Sequence, residues 1–576
     1  MRIEELKPRY CILVVVGLLV ALASGQSENV EEFDFIVVGA GTTGGALLEI
    51  LTREPSFTVL GLDRGPDLVK RSPSDFTGMK TQRDYHYVSP HDPVIITTPQ
   101  EAGNKRQIYV PSFRGIGGTS RMYGMIVRKP SPSVLDNWPE GWRFRDMNKY
   151  YKRMESHYCY TDVDSDIPEH ECKHHHGSDG PMKVNTLNQT EFRPFSRAFT
   201  DICYDRGAIW GGKTNDYNGD DHNGCGLFQQ FKFQDENKDW VRGGSFNGYL
   251  TKEVLARTNL DIRTASPVTQ IAFDKDRRAI GVYYLASPKS VRYVAARKEI
   301  ILSAGSIDTP VLLQVSGVGP QDVMTNIDVP VVAINEEVGN NLWDQVFVPY
   351  ILQVKNPSRK WSNQNGPFSW IIHANLDDNP GIRSGRSDMQ VYFMDSSPKF
   401  SKTDKLCKGQ TGARDEATLR IIDQFPDYRG NVRAQTANIF DRPYVDLGWN
   451  ADNDPGKKTI QKLTTMVEEL RKYWQDESTE WSKEVVGELY MEDDIEEWAR
   501  RYMDSDWHPA CTCAMGKCAD ANLRVKGVQG LRVCDASAFA TQVDGNPAAT
   551  LFAMAEKLGE ELTNEYSPSH QKKTEL

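Results

Sequence analysis

Hydrophobic and polar positions along the chain fall into two periods. Short apolar runs rich in β-branched residues, at 33–38 (FDFIVV), 57–63 (FTVLGLD), 299–305 (EIILSAG) and 531–535 (LRVCD), predict buried strands. Two of them pass through glycine turns into helical patterns, one over 33–51 and one over 299–319, with Thr309-Pro310 as the expected start of the second helix. The stretch 259–274 (NLDIRTASPVTQIAFD) alternates in the manner of a strand. Segments 360–370 and 389–396 are dominated by aromatic and β-branched residues with polar turns between them, and predict strands of another layer. Their aromatics read as core, so no specificity residue is assigned from them. Residues 457–476 repeat their apolar positions as an amphipathic helix does.

A chain of 576 residues is too long for one hydrophobic core, which implies two domains or one large domain with a second layer. Its net charge of -11 comes without any basic run, so there is no electrostatic footprint for nucleic acid and small-molecule partners are favoured. Arg2, Lys7 and Arg9 precede the apolar stretch 11–24, and the small residues Ala23 and Gly25 follow, the pattern of a secretory signal peptide over 1–25. The alternative, an uncleaved anchor, meets an apolar core short of the about 20 residues that a span requires. No other stretch could cross a bilayer, so a secreted or secretory-lumen protein without a stable membrane span is expected. Cleavage leaves nine of the ten cysteines in an oxidising compartment where some pair and at least one stays unpaired. Asn188-Gln189-Thr190 is then a glycosylation sequon.

The first glycine turn carries chemistry. Gly39, Gly41 and Gly44 have G-x-G-x-x-G spacing between a strand and a helix: the first permits the tight turn, the second lets backbone approach a pyrophosphate, and the third lets helix and strand pack closely. Thr42 and Thr43 lie at the same helix start, where anions bind. The second strand ends in Asp63, followed by Arg64, where an acid holds the ribose hydroxyls of a dinucleotide lacking a 2′-phosphate. These glycines do not distinguish NAD from FAD.

Further segments do. RGIGGTSRMYGM (114–125), GSIDTPVLLQVSGVG (305–319) and DWHPACTCAMGKC (506–518) followed by 531–562 resemble the signatures of the glucose–methanol–choline (GMC) family of FAD oxidoreductases, and the likeness runs from about residue 32 to about 562. The resemblance implies FAD as cofactor. It places the backbone of Gly117, Gly118, Thr119 and Ser120 at the pyrophosphate and flavin edge, with Tyr123, Gly124 and Met125 beside them. It puts Val268 at the adenine through its backbone, Asp535 and Ala536 at the ribityl or phosphate region, and Asn546 and Pro547 at the flavin. The chain departs from the family pattern at Phe113, where a small residue is usual, at Tyr123, where Asn or His is usual, and at Gln345, which ends EEVGNNLWDQ (336–345) in place of a His; Asn341 and Asp344 remain to fix that turn. Met122 stands where some members bind the flavin covalently through His, so non-covalent FAD is expected.

The resemblance makes His508 the residue facing flavin N5 and Asn546 its partner. Hydride leaves an alcohol carbon once the hydroxyl proton is being lost, so a base such as imidazole belongs there, and an amide N–H stabilises the growing charge. Three other readings of the region exist: a metal site of His508, Cys511, Cys513 and Cys518, whose C-x-C-x4-C spacing is unlike zinc sites; a nucleophilic Cys511 or Cys513; and a buried structural histidine. No metal is expected. His174-His175-His176 reads as a solvated loop.

The resemblance thus implies an α/β fold with a Rossmann-like FAD-binding domain, discontinuous over 30–185, 258–345 and 500–566. A substrate domain over 186–257 and 346–499 is built on an antiparallel sheet flanked by helices, with the active site at the seam. The expected activity is oxidation of the CH–OH group of an alcohol, with oxygen or another electron acceptor as second partner. The alternatives are an FAD-containing hydroxynitrile-lyase type enzyme and a non-catalytic secreted flavoprotein. Sugars, choline, aryl alcohols and aliphatic alcohols are all substrates within the family.

Overall fold

The computed structural model describes residues 30–66, 95–162, 165–356, 368–376, 385–394 and 415–568. The signal-peptide segment 1–25, Cys407 and part of the 360–370 and 389–396 segments lie outside them.

The strand Glu32–Val38 (β1), the helix Thr42–Leu51 (α1) and the strand Val59–Leu62 (β2) form the first unit, with β1 and β2 paired in parallel. Parallel pairing needs a crossover, which α1 supplies, and strands covered on both faces read as continuous apolar runs. β1 also pairs in parallel with Ser290–Leu302, whose last three residues pair in parallel with Leu531–Val533 on their other side. The early part of that long strand pairs instead with the antiparallel Ala279–Ser287, which leads to Val268–Phe273 at the sheet edge. The C-terminal helix Ala548–Tyr566 packs against α1. Phe35 of β1 sits edge-on between Phe57 and Tyr566, with ring centroids 5.0 and 5.7 Å away.

Two sequence expectations change here. The alternating stretch 259–274 is two strands at opposite edges of this sheet, Leu260–Arg263 beside β2 and Val268–Phe273 beyond Ala279–Ser287. Between them the chain crosses the end of β2, with Ala265 N–H donating to Gly65 O (2.6 Å) and Ser266 N–H to Asp63 O (2.8 Å). The second helix runs Gly305–Val315 and begins ahead of Thr309-Pro310, so Pro310 lies inside it. A proline there cannot donate to the carbonyl four residues earlier. That carbonyl, Ser306 O, accepts instead from the Thr512 hydroxyl at 2.6 Å.

The second large sheet is antiparallel throughout: Val485–Leu489, Val346–Val354, Glu416–Asp423, Met389–Met394, Phe368–Ala374 and Gly224–Leu227, in that order, with Asp504–Ser505 also on Val346–Val354. The amphipathic helix, Lys458–Gln475, lays its apolar stripe, including Ile460, Leu463, Val467 and Leu470, against the strands Val346–Val354 and Glu416–Asp423. A four-stranded sheet joins Glu155–His157 and Met182–Thr186 to Gln229–Gln234 and Trp240–Arg242, so its strands come from both sides of residue 185. The architecture is therefore mixed α/β, a parallel sheet with helices and a large antiparallel sheet.

The triple histidine is not a solvated loop. His176 is fully buried, its Nδ1 3.0 Å from Glu155 Oε1 and its Nε2 2.8 Å from Asp216 Oδ2, and Lys129 completes the cluster on Glu155. His175 is buried as well, while His174 is exposed. Three disulfides, Cys159–Cys172, Cys203–Cys225 and Cys513–Cys518, pair six cysteines; Cys511 and Cys534 are buried thiols. Among the described residues no helix is long and apolar enough to cross a membrane.

Candidate active site

The carboxyl ends of β1, β2, Ser290–Leu302 and Leu531–Val533 open onto one cleft of about 1360 Å³, counting its mouth. This is where open α/β sheets place ligands, because the loops diverge there. The glycines have separable tasks. Gly39 has φ 97°, and a Cβ there would stand 2.5 Å from Ser303 O; a Cβ on Gly44 would stand 1.9 Å from Gly39 O. Gly118, at φ 47°, approaches Gly41 so closely that a Cβ would lie 2.7 Å from its Cα. No other residue type keeps the turn, the start of α1 and the 114–125 loop this close.

Two buried aspartates hold the loops. Asp63 accepts from Ala40 N–H at 2.9 Å and Gly65 N–H at 2.7 Å, tying the glycine turn to the end of β2. Asp535 accepts from Gly305 N–H (2.8 Å), the Thr309 hydroxyl (2.6 Å) and Ser537 N–H (2.8 Å), tying the last strand to the helix Gly305–Val315. Burial pushes both carboxyls above the usual carboxylate range.

The residues present fit FAD. Arg114 gives Nη2 to Asp308 at 2.9 Å, but its Nε and Nη1 are buried with no hydrogen-bond partner among the described residues. Both Arg114 and Arg64 line the cleft, and burial pushes Arg64 down to about 10. Orphaned guanidinium N–H groups beside a helix N-terminus suit a pyrophosphate. A Cβ on Gly305, at φ 92°, would meet nothing within 4 Å, so that position leaves the cleft floor open.

His508 lines the same cleft between Trp507 and Pro509. Its backbone N–H donates to Asp344 Oδ1 at 2.9 Å; Asp344 also accepts from the Ser505 hydroxyl, and burial pushes its carboxyl up to about 6. His508 Nδ1 stands 2.7 Å from Gln345 Oε1 and 3.1 Å from Asp506 Oδ2, and Nε2 stands 3.4 Å from Asn546 Nδ2. Asn546 Oδ1 accepts from the Tyr392 hydroxyl at 3.1 Å. The Asn546 loop is anchored by Asp544, which pairs with the fully buried Arg128 at 3.4 Å and accepts from Ser131 N–H at 2.9 Å. Gly545, at φ 131°, packs flat on Arg128, where a Cβ would stand 2.1 Å from Cγ.

Of the residues singled out in the sequence, Gly39, Gly41, Thr42, Thr43, Asp63, Arg64, Gly118, Thr119, Val268, His508, Asp535, Ala536 and Pro547 line the cleft. Gly44, Gly117, Ser120, Tyr123, Gly124, Met125 and Asn546 do not. Ser120 donates to Gly117 O at 2.6 Å, the Tyr123 hydroxyl donates to Gly243 O at 3.0 Å, and Met125 is buried at φ 63°; Asn546 instead meets His508 at Nε2. Gln345, noted only as a departure, and Asp506 touch the His508 ring, while Arg114, Asp308, Tyr392 and Arg420 carried no local signal that would have selected them. Cys513 and Cys518 are joined to each other, which removes both sulfurs from the alternative metal set. Burial pushes the Cys511 thiol up to about 12, away from the thiolate a nucleophile needs.

A GMC oxidoreductase family model matches residues 33–347, and a second, for the C-terminal part, matches 426–555. A dehydrogenase (str4) of Strobilurus tenacellus is 27% identical over 96% of this chain and 97% of its own length. The oxygen-dependent choline dehydrogenase of Photobacterium profundum is 26% identical over 91% of this chain and 92% of its own length. Among solved structures, pyridoxine 4-oxidase from Mesorbium loti superposes with a TM-score of 0.79 at 20% identity, over 93% of this chain and 100% of that one. The chain belongs to the GMC oxidoreductase family of FAD-dependent oxidoreductases.

Proposed function

We propose that this enzyme oxidises the CH–OH group of an alcohol, with His508 as general base. The reading rests on one observation: His508 lines the cleft of the glycine turn while its Nε2 faces the Asn546 amide. FAD, held by the glycine turn, Asp63, Arg114 and Asp535, would supply the acceptor of the hydride. The chain's own part is to take the hydroxyl proton on His508 Nε2 and to donate from Asn546 Nδ2 to the substrate oxygen as its negative charge grows. The sheet residue Tyr392 stands behind that amide, its hydroxyl 3.1 Å from Asn546 Oδ1 and 2.7 Å from Gln390 Oε1.

Met122, a thioether where a covalent link needs imidazole, supports non-covalent FAD. Relatives described as a choline dehydrogenase and an aryl-alcohol oxidase support an alcohol as substrate. Three disulfides support passage through an oxidising secretory compartment. The test is an anaerobic stopped-flow screen of sugars, choline, aryl and aliphatic alcohols against the oxidised flavin. Bleaching by at least one class is expected, and no bleaching by any alcohol would overturn the reading.

A further inference from the structure

We propose that Gln345 and Asp506 are positioning residues that act through His508: together they keep a proton on Nδ1, so Nε2 is the bare nitrogen, and Asp506 balances the imidazolium formed during turnover. The proposal rests on the reading of His508 as base.

The direction of the Gln345 amide is over-determined. Gln345 is fully buried, and its Nε2 donates to two backbone carbonyls, Val543 O at 2.9 Å and Gly545 O at 3.1 Å. Carbonyls only accept, so turning the amide over would set its oxygen against two acceptors. Oε1 must therefore face His508 Nδ1, and at 2.7 Å it can only accept from it. Asp506 Oδ2, 3.1 Å from the same nitrogen, is a second acceptor. A neutral imidazole carries one proton; with Nδ1–H held between two acceptors, Nε2 has a lone pair. That lone pair meets the donor end of Asn546. A histidine at 345, which could donate or accept, would not impose this choice.

Asp506 is built to stay charged. Its other oxygen accepts from Arg420 Nε at 2.6 Å, and the Arg420 guanidinium packs 3.7 Å from the Phe347 ring centroid and 4.7 Å from that of Trp507. Burial alone would push the Asp506 carboxyl up, but Arg420 and His508 hold it below the usual carboxylate range. Among the described residues, the other titratable groups around the ring are Asp344, on the His508 backbone N–H, and Tyr392, beyond Asn546. In the reaction the substrate O–H bond breaks and an N–H bond forms at Nε2. The Nδ1–H bond persists; the electron pair freed on oxygen closes the C=O bond as the C–H bond breaks, and FAD, when bound, would accept the hydride. The Nδ1–H of the imidazolium then lies between the Asp506 carboxylate and the Gln345 carbonyl, the arrangement by which a buried aspartate serves histidine in hydrolytic triads.

Two measurements on the FAD-loaded protein test this. The first needs no positioning variant: selective 15N-histidine labelling, with the His508 signals identified by their loss in His508→Asn, should show a protonated Nδ1 and an unprotonated Nε2 in the neutral ring. The opposite tautomer would overturn the proposal. The second is the pH profile of anaerobic flavin reduction by the best alcohol from the screen. Asp506→Asn should retain FAD, slow reduction by about 10² to 10⁴ and move the rising limb to lower pH, because removing the carboxylate makes protonation of the ring harder. Asp506→Glu should recover part of the rate and return the limb toward its original pH. An Asp506→Asn variant that binds FAD and keeps both the wild-type rate and profile would overturn the Asp506 role. If no alcohol reduces the flavin, the oxidation reading fails, while the labelling result still decides the tautomer.

Discussion

Asn546 Nδ2 lies 3.4 Å from His508 Nε2, and the opposite end of the same amide accepts from Tyr392 at 3.1 Å. His508 and Asn546 thus come from separate loops and meet beside a strand of the antiparallel sheet. His508→Asn should bind FAD normally and reduce it about 10² to 10⁴ more slowly, the worth of a general base. Asn546→Ala should cost less, on the order of 10²-fold, since one donor is lost. Stopped-flow flavin reduction checks both, and a His508→Asn protein reducing flavin near the wild-type rate would place the base elsewhere.

Asp63 secures the cofactor loop through two backbone N–H groups at 2.7 and 2.9 Å. Each charged hydrogen bond is worth about 1.5–3 kcal/mol. Asp63→Ala should therefore raise the Kd for FAD by about tenfold or more while protein that remains loaded reacts at an ordinary rate. Fluorescence titration of the apoprotein with FAD measures this; unchanged affinity removes Asp63 from the cofactor site.

Met122 cannot form the bond that a histidine would form to the flavin. Acid or heat should release FAD into the supernatant, leaving a colourless precipitate. Flavin retained on the precipitated protein would show a covalent link through another residue.

Arg128 and Asp544 are fully buried and paired, and Gly545 and Asn546 follow directly. Removing one partner of such a pair leaves a buried charge, at a cost of about 3–5 kcal/mol. Arg128→Met should lower stability by about that amount in urea unfolding and should also slow flavin reduction by loosening the Asn546 loop. A variant as stable as wild type would mean that water reaches Asp544.

Burial, together with the nearby Arg128, pushes His222 down to about 3, against about 6.5 for an ordinary histidine. The folded protein therefore binds fewer protons than the unfolded chain between those values. The stability contributed by neutral His222 is full above about 6.5 and is lost as pH falls toward 3. His176 opposes this, because Asp216 and Glu155, against burial and Lys129, raise it. Unfolding at a series of pH values should show a slope between pH 4 and 6 that flattens by about one proton in His222→Gln; an unchanged slope would assign it to other groups.

What was legible in the chain was local. The glycine turn, its strand and Asp63 lie within one βαβ unit, and buried parallel strands announce themselves as unbroken apolar runs because both faces are covered. The likeness of the 114–125, 305–319 and 506–562 segments carried FAD, His508 and Asn546 in the same way, each from a short motif. Pro310 misled for a reason that was not local: the carbonyl it orphans is taken by Thr512, about 200 residues away in sequence. His176 misled similarly, since its polar neighbours suggest solvent while Glu155 and Asp216 fold around it.

The sequence by itself determined which residue types stand at the glycine turn and at position 508, because those depend on backbone freedom and chemistry within a few positions. Only the tertiary structure decided how the His508 ring is oriented. Gln345 meets His508 across 163 positions, Arg420 meets Asp506 across 86, and Tyr392 meets Asn546 across 154. Those contacts exist because the strands Val346–Val354, Met389–Met394 and Glu416–Asp423 pair side by side, which brings their residues to the His508 loop. No spacing in the chain encodes that meeting; it follows from sheet register, where a one-residue slip would turn Tyr392 and Arg420 to the opposite face.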